Sequence, residues 1–424
     1  MKSFILYYLI LFPLFSNFAQ LQMVQQPLKS VMSSLSDAEV EYFLKFIEGN
    51  NRFSFNLYKQ LTRHSGSFFF SPYSVATGLD IPALGAKGST LDQFKNILGY
   101  SPTLALFTAD FNARLANPAT IPGGQISVAN ALWIDKSIPI LNAFKQVVFT
   151  NFRTHLDVGS DFISNLNATL KRINQWVQQQ TRSKINNMLS PLDINSTMRM
   201  VLTTAAYING EWLFPFDKGL TKRLPFKITK RKTVLASMMQ TTASYMIATR
   251  DDVDVLALPF VYSQGKETEG KMQISMIIFL PKSDRDIAAL EKMFTWENWR
   301  SWKSELKIQL VKLSLPSFRI DRRLNLVEEI SGMGIKEATN SAANFSGITS
   351  SKGLFLNQAA HKTSIRLQEE GIDVHRTQRS KPGVGQTAME GVNPIEISAD
   401  RPFIFMIWDQ TTDAILFMGR LSIP

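Results

Sequence analysis

The sequence predicts an α+β fold in one large domain, on three observations. Helical periodicity dominates the first half of the chain, while alternating and continuous apolar runs dominate the second, which argues against a repeating βαβ plan. After residue 50 no Gly/Ser- or Pro-rich linker, charge block or internal repeat divides the 424 residues. With 45% apolar residues, 19% charged residues and 18 scattered prolines, the chain has the material for a sizeable core and is not disordered.

The elements follow in order. Lys2 precedes an apolar run, Phe4 to Phe15, well short of the ~20 residues that span a bilayer. It reads as a secretory signal over residues 1–19, cleaved after Ala19, so a secreted, extracellular protein without a transmembrane segment is expected. Residues 20–49 form an extension with one amphipathic helix. Ser36 and Glu39 make a capping box, Val40, Phe43, Leu44 and Ile47 follow at helical spacing, and Gly49 is the expected stop. The main domain spans 50–424. Thr90 and Gln93 read as a second capping box ahead of Phe94, Ile97 and Leu98, and Leu166, Leu170, Ile173 and Val177 mark one face of a further helix. Met276 to Leu280, closed by Pro281, reads as a strand buried on both faces. Leu306, Ile308 and Leu310 alternate, and Val311, Leu313 and Leu315 alternate in shifted register, which predicts a bulge.

Enzyme chemistry is thin. There is no Cys, which removes thiolate metal sites, cysteine nucleophiles and disulfides. Gly85-Ala86-Lys87-Gly88-Ser89-Thr90 has phosphate-loop residue types, but its Lys precedes the second Gly; a turn feeding a helix explains it better. No nucleophile elbow and no His-Glu-x-x-His zinc motif occurs among the four His, which are His64, His155, His361 and His375. No catalytic residue, metal or cofactor is expected. The net charge of +11 gathers at Lys227, Lys230, Arg231 and Lys232 and at Arg319, Arg322 and Arg323. Neither group is interleaved with aromatics, so no nucleic-acid partner is expected; a solvated basic surface with weak polyanion binding is. Asn167, Asn195 and Asn344 open glycosylation sequons.

Five blocks in order carry a family resemblance. They are Phe69-Phe70-Ser71-Pro72-Tyr73-Ser74 with Ala83 to Thr90; Ile173-Asn174-Gln175-Trp176-Val177 with Thr181 and Lys184-Ile185; and Val201-Leu202 through Trp212, Phe216 and Thr221. Asn357-Gln358-Ala359-Ala360-His361-Lys362 and the closing Pro402-Phe403-Ile404-Phe405 with Ile415 to Arg420 complete the set. Together they resemble the serpins, a superfamily of serine protease inhibitors. The resemblance implies a monomer of three β-sheets and eight or nine helices, with a reactive-centre loop over about residues 369–401. It places Trp212 at the breach that receives an inserted loop, and Ser71, Ser74 and His361 in the gate beneath it. The family's Asn partner of that His falls on Thr204, which lacks the amide. The helix expected at Leu104 to Leu115, a frequent heparin site in the family, carries only Arg114 as a basic residue.

In an inhibitory serpin, a protease cleaves the loop, whose amino-terminal part then inserts as a new central strand and drags the acyl-enzyme across the body. Insertion needs every ladder N–H and small side chains at alternate inward positions. Here the hinge reads Glu369-Glu370-Gly371-Ile372-Asp373-Val374-His375-Arg376. In the family's frame Ile372, Val374, Arg376, Gln378, Ser380 and Pro382 point inward. Ile372 and Val374 are bulky, Arg376 brings an unpaired charge, and Pro382 lacks a ladder N–H. The scissile bond is ambiguous, because counting from the hinge gives Gly385-Gln386 and counting back from Pro402 gives Glu390-Gly391. Arg376, Arg379, Lys381 and Met389 are further candidate cleavage points. The expected function is that of a non-inhibitory or insertion-impaired serpin, acting as a binding, carrier or decoy protein. The alternatives are suicide inhibition of a trypsin-like protease and extracellular polyanion binding.

Overall fold

The computed structural model describes residues 36–101, 108–117, 121, 123–149, 154–261, 273–282, 286–374 and 393–424. The first helix, α1 (Asp37–Leu61), starts at the expected capping box, with Ser36 N–H donating to Glu39 Oε2 at 2.7 Å. It does not stop at Gly49. The backbone carbonyl of Leu98 lies where a Cβ on Gly49 would be, 2.6 Å away, and Gly99 packs alongside. The glycine therefore serves a close helix contact, not a C-cap, and the expected boundary at 49/50 falls inside one continuous helix. Phe43, Phe46 and Ile47 are buried in the main core, so the amino-terminal half of this helix is part of the body.

Strand β1 (Phe68–Phe70) leads into α2 (Pro72–Gly85), capped by Ser71, whose Oγ accepts from Ser74 N, with Pro72 at the first helical position. Helix α3 (Gly88–Leu98) begins at Lys87 with no side-chain cap, so the expected Thr90/Gln93 capping box does not form. Both side chains are committed elsewhere. Thr90 Oγ1 donates to Glu337 Oε2 at 2.7 Å, and Gln93 Oε1 accepts from the N–H groups of Lys336 and Glu337. Next come α4 (Thr108–Leu115), β2 (Gly124–Asp135), α5 (Asn142–Val147), β3 (His155–Ser160) and α6 (Leu166–Gln180). Helix α6 buries Ile173 and Val177, with Leu166 and Leu170 beside them, against Trp133, Val201, Ala205 and Ala360. Lys184 and Ile185, which the family resemblance would place in the strand after the covering helix, follow α6 in a stretch of turns.

The second half is mostly strand: β4 (Met200–Glu211), β5 (Asp217–Thr229), β6 (Lys232–Thr249), β7 (Val253–Pro259) and β8 (Ile274–Pro281). Then follow α7 (Ile287–Met293), α8 (Trp296–Ser304), β9 (Lys307–Pro316), β10 (Phe318–Asn325), α9 (Val327–Met333), β11 (Gln358–Gln368), β12 (Gly371–Ile372), β13 (Ile395–Ser398), β14 (Phe403–Asp409) and β15 (Ala414–Leu421). Every residue of β8 is buried, as its unbroken apolar run predicts. The expected bulge is absent. Strand β9 pairs with β6 without a register break, Val311, Leu313 and Leu315 face the core, and Ile308 is 72% exposed.

The strands form a six-stranded sheet, β10-β11-β12-β4-β2-β3, and a nine-stranded network. In the network the 18-residue β6 is shared: its first part pairs with β5 and its last with β7, while β9 runs along the stretch between. The aromatic core lies between these layers. Phe69 stacks on Phe417 at 5.1 Å, and Phe405 packs against Phe69, Phe318 and Phe403.

Candidate functional site: the loop hinge and the gate beneath it

Beneath the middle of the six-stranded sheet, His361 on β11 lies opposite Thr204 on β4 in a parallel pair. The histidine is fully buried. Ser71 N–H donates to His361 Nε2 at 2.9 Å, so that nitrogen carries a lone pair and the ring proton sits on Nδ1. Nδ1–H then donates to Thr204 Oγ1 at 2.9 Å, and the threonine hydroxyl turns to Ala360 O at 3.3 Å. Both ring nitrogens are satisfied inside the protein, which makes His361 a structural histidine, not a base. Burial pushes its pKa down to about 3.

The gate also holds an amide that the sequence reading missed. Asn130 on β2 lies across from Thr204 on the other side of β4. Its Nδ2 donates to Ser74 O at 3.0 Å and to Thr77 Oγ1 at 2.8 Å, while its Oδ1 accepts from Ser74 Oγ. Ser71 Oγ donates to Leu416 O and accepts from Ser74 N, tying the start of α2 to β15. Gly78 makes room, since a Cβ there would lie 2.3 Å from the Thr204 methyl. Ser71, Ser74, Asn130, Thr204 and His361 are each hydrogen-bonded within the gate.

Above the gate, β11 turns through Glu369 and Glu370 into the hinge. Gly371 and Ile372 form β12, antiparallel to both β11 and β4, with Ile372 between Leu367 and Gly210. Two residues of the loop are therefore already in the sheet, and Ile372 faces the core with no exposed surface. Below them β11 and β4 pair directly, from Ser364–Tyr207 down to Gln358–Val201. Only glycine fits at 371: φ is +153°, and a Cβ would lie 2.0 Å from Gly210 O.

The breach holds the turn on both sides. Trp212, stacked on Phe260 at 4.7 Å, donates its Nε1–H to Gln368 O at 3.0 Å and its backbone N–H to Glu370 O. Phe216 N–H donates to Glu369 O, Thr221 Oγ1 donates to Glu369 Oε1 at 2.9 Å, and Lys218 pairs with Glu370. Asp373, at φ +50°, ends the strand; its N–H donates to Arg366 O, and its carboxylate pairs with Lys184 Nζ at 3.2 Å. The half-buried Val374 follows. His375, Arg376, Arg379, Lys381, Gly385, Gln386, Met389 and Glu390 lie outside the described residues, as do 1–35.

Of the basic groups, Lys230, Arg231 and Lys232 are exposed where β5 turns into β6, and Lys227 pairs with Asp400 at 3.2 Å. Arg322 donates to Ser65 O and Ser67 O, and Arg323 pairs with Asp193, so that group is largely structural. Asn167, Asn195 and Asn344 are all exposed. No helix among the described residues is long and apolar enough to cross a membrane.

An α+β body of two strand networks packed with helices, with a loop hinge threaded two residues into the six-stranded sheet, defines a serpin-type scaffold. The family model for serpins, serine protease inhibitors, matches residues 48–424, and the chain belongs to that family. It is 31% identical to a leukocyte elastase inhibitor of Xenopus laevis over 88% of this chain and 97% of that protein. It is 29% identical to a serpin-like protein of the archaeon Methanosarcina acetivorans over 88% of this chain and 87% of that one. Among solved structures it resembles human thyroxine-binding globulin complexed with its hormone (TM-score 0.79, 27% identity, 90% of this chain and 99% of that chain). Uncleaved ovalbumin gives a TM-score of 0.78 at 27% identity, over 90% of this chain and 100% of that one.

Proposed function

We propose that this serpin is a non-inhibitory or strongly insertion-impaired member, secreted after removal of residues 1–19 and acting outside the cell as a binding, carrier or decoy protein without catalysis of its own. The observation that carries the reading is the register of β12. Gly371 opposite Glu211 and Ile372 opposite Gly210 and Leu367 fix the frame of any further insertion. Continued two residues at a time, it sets Val374 between Ile208 and Ile365, which is acceptable. Arg376 then falls between Ala206 and Thr363, both fully buried and neither a carboxylate. Pro382 falls beside Met200, where a central strand needs an N–H. A charge desolvated without a partner costs several kcal/mol, and insertion has to outrun deacylation.

The second reading is suicide inhibition of a trypsin-like protease through Arg379 or Lys381. It is favoured by Ile372, which the core already accommodates, and by the intact hydrogen bonding at Thr204, so two of the expected obstacles fall away. The name of one relative, a leukocyte elastase inhibitor, supports inhibition as such, though not cleavage after a basic residue. Incubation with a panel of serine proteases separates the two: cleavage without a denaturant-resistant complex supports the first reading, and a stable covalent complex supports the second.

A further inference from the structure

Asp373 is the last residue of the hinge before the loop leaves the sheet, and it is held from outside the loop. Its carboxylate pairs with Lys184 Nζ at 3.2 Å, and the same ammonium lies 5.2 Å from the centre of the Tyr207 ring. Lys184 belongs to the turn segment that follows α6, the helix lying over the sheet, and that segment is itself anchored. Lys184 N–H donates to Thr181 O, Thr181 Oγ1 accepts from Ile185 N, and Asn174 on α6 exchanges two hydrogen bonds with Leu189. Tyr207 is on β4, one of the two strands that would part around an inserted loop. The segment behind the covering helix and strand β4 thus meet at one hinge residue, Asp373, which sits in the left-handed region that Asp tolerates better than most residues.

We propose that Lys184, Tyr207 and Asp373 form a latch that keeps Gly371 and Ile372 docked in the sheet and couples the docking to the segment behind the covering helix. The breach contacts of Glu369 and Glu370 hold the turn, but they act before the two inserted residues. Among the described residues the Asp373 ion pair is the side-chain contact that acts after them, beside the Asp373 N–H bond to Arg366 O, so it governs whether the hinge stays in or lifts out. A partner that engages Lys184, or displaces the segment carrying it, releases the hinge and changes how the loop is presented.

Hydrogen exchange read by mass spectrometry on the intact protein tests this. In Lys184→Ala, peptides covering 367–374 are expected to exchange about tenfold faster than in the wild type, with β2 and β14 unchanged. Lys184→Arg should restore protection, and Tyr207→Leu, which removes the ring beside the ammonium, should give an intermediate rate. Unchanged exchange at 367–374 in Lys184→Ala overturns the latch. So does a rise that spreads equally over the sheet or that Lys184→Arg does not reverse, because either would mark a general packing role. Whether the protein inhibits a protease does not enter the readout.

Discussion

Thr204 Oγ1 lies 2.9 Å from His361 Nδ1 and, with Ser71 N–H on the other ring nitrogen, locks a fully buried neutral imidazole between the strands that would open for an inserting loop. Replacing Thr204 by Val leaves the shape but orphans the ring N–H, a loss of ~1–3 kcal/mol. Thr204→Ser keeps the hydroxyl and loses only a methyl, worth about 0.8 kcal/mol. Thermal unfolding should therefore rank wild type above Ser and Ser above Val. Equal stability of the Val variant would mean that the contact contributes nothing.

The same histidine makes stability depend on pH. Its pKa is about 3 in the folded protein because burial disfavours the charged ring, against roughly 6.5 when unfolded. Below pH 6.5 the unfolded chain takes up a proton that the folded chain refuses, so stability falls as pH falls towards 3. Between pH 7 and 5 this amounts to about 2 kcal/mol. Asp409 acts oppositely: burial lifts its carboxyl to about 6, so the folded state gains stability as pH falls from there. The comparison must be internal. The stability gap between wild type and His361→Gln should move against the wild type on going from pH 7 to 5; a gap independent of pH would exclude the assignment.

Much of this was legible in the sequence because it is local. The apolar spacing from Leu166 to Val177 and the run from Met276 to Leu280 each fix an element through its own periodicity, and the ordered blocks locate Trp212, His361 and the hinge. Long-range contacts account for what was missed. Gly49 reads as a helix stop but is a contact with Leu98, and Thr90 and Gln93 read as a cap but bind Glu337 and Lys336. Asn130 joins the gate from the neighbouring strand through Ser74 and Thr77, a contact no spacing rule exposes. Lys184 and Asp373 are 189 positions apart.

Gly371→Ala should undock the hinge without disturbing the gate. An alanine cannot readily hold φ at +153°, and its Cβ would meet Gly210 O. The expected result is loss of exchange protection at 371 and 372, with Ser71, Thr204 and His361 unaffected by NMR. Full protection in the variant would show that the sheet tolerates the side chain.

The basic turn at Lys230, Arg231 and Lys232 is exposed and should behave as a solvated surface. Exposed charges are largely screened beyond the ~8–10 Å Debye length, so retention on heparin should be weak and vanish at moderate salt. Retention at high salt that is lost on replacing the three residues by Ala would make polyanion binding the leading function.

The register of the hinge gives the decisive test. Proteolysis between Arg379 and Met389 should leave the melting temperature nearly unchanged, because the next inward positions after Val374 bring Arg376 against Ala206 and Thr363 and then Pro382 against Met200. Ile372 needs no replacement, since the core already holds it. The double variant Arg376→Ala, Pro382→Ala removes the buried charge, worth several kcal/mol, and returns the ladder N–H. Cleaving it should therefore raise the melting temperature well above that of the uncleaved variant, while each single variant gains less, because either defect alone interrupts the strand. A large rise on cleaving the wild type would mean that Arg376 finds a partner beneath the sheet, and the inhibitor reading would then take precedence.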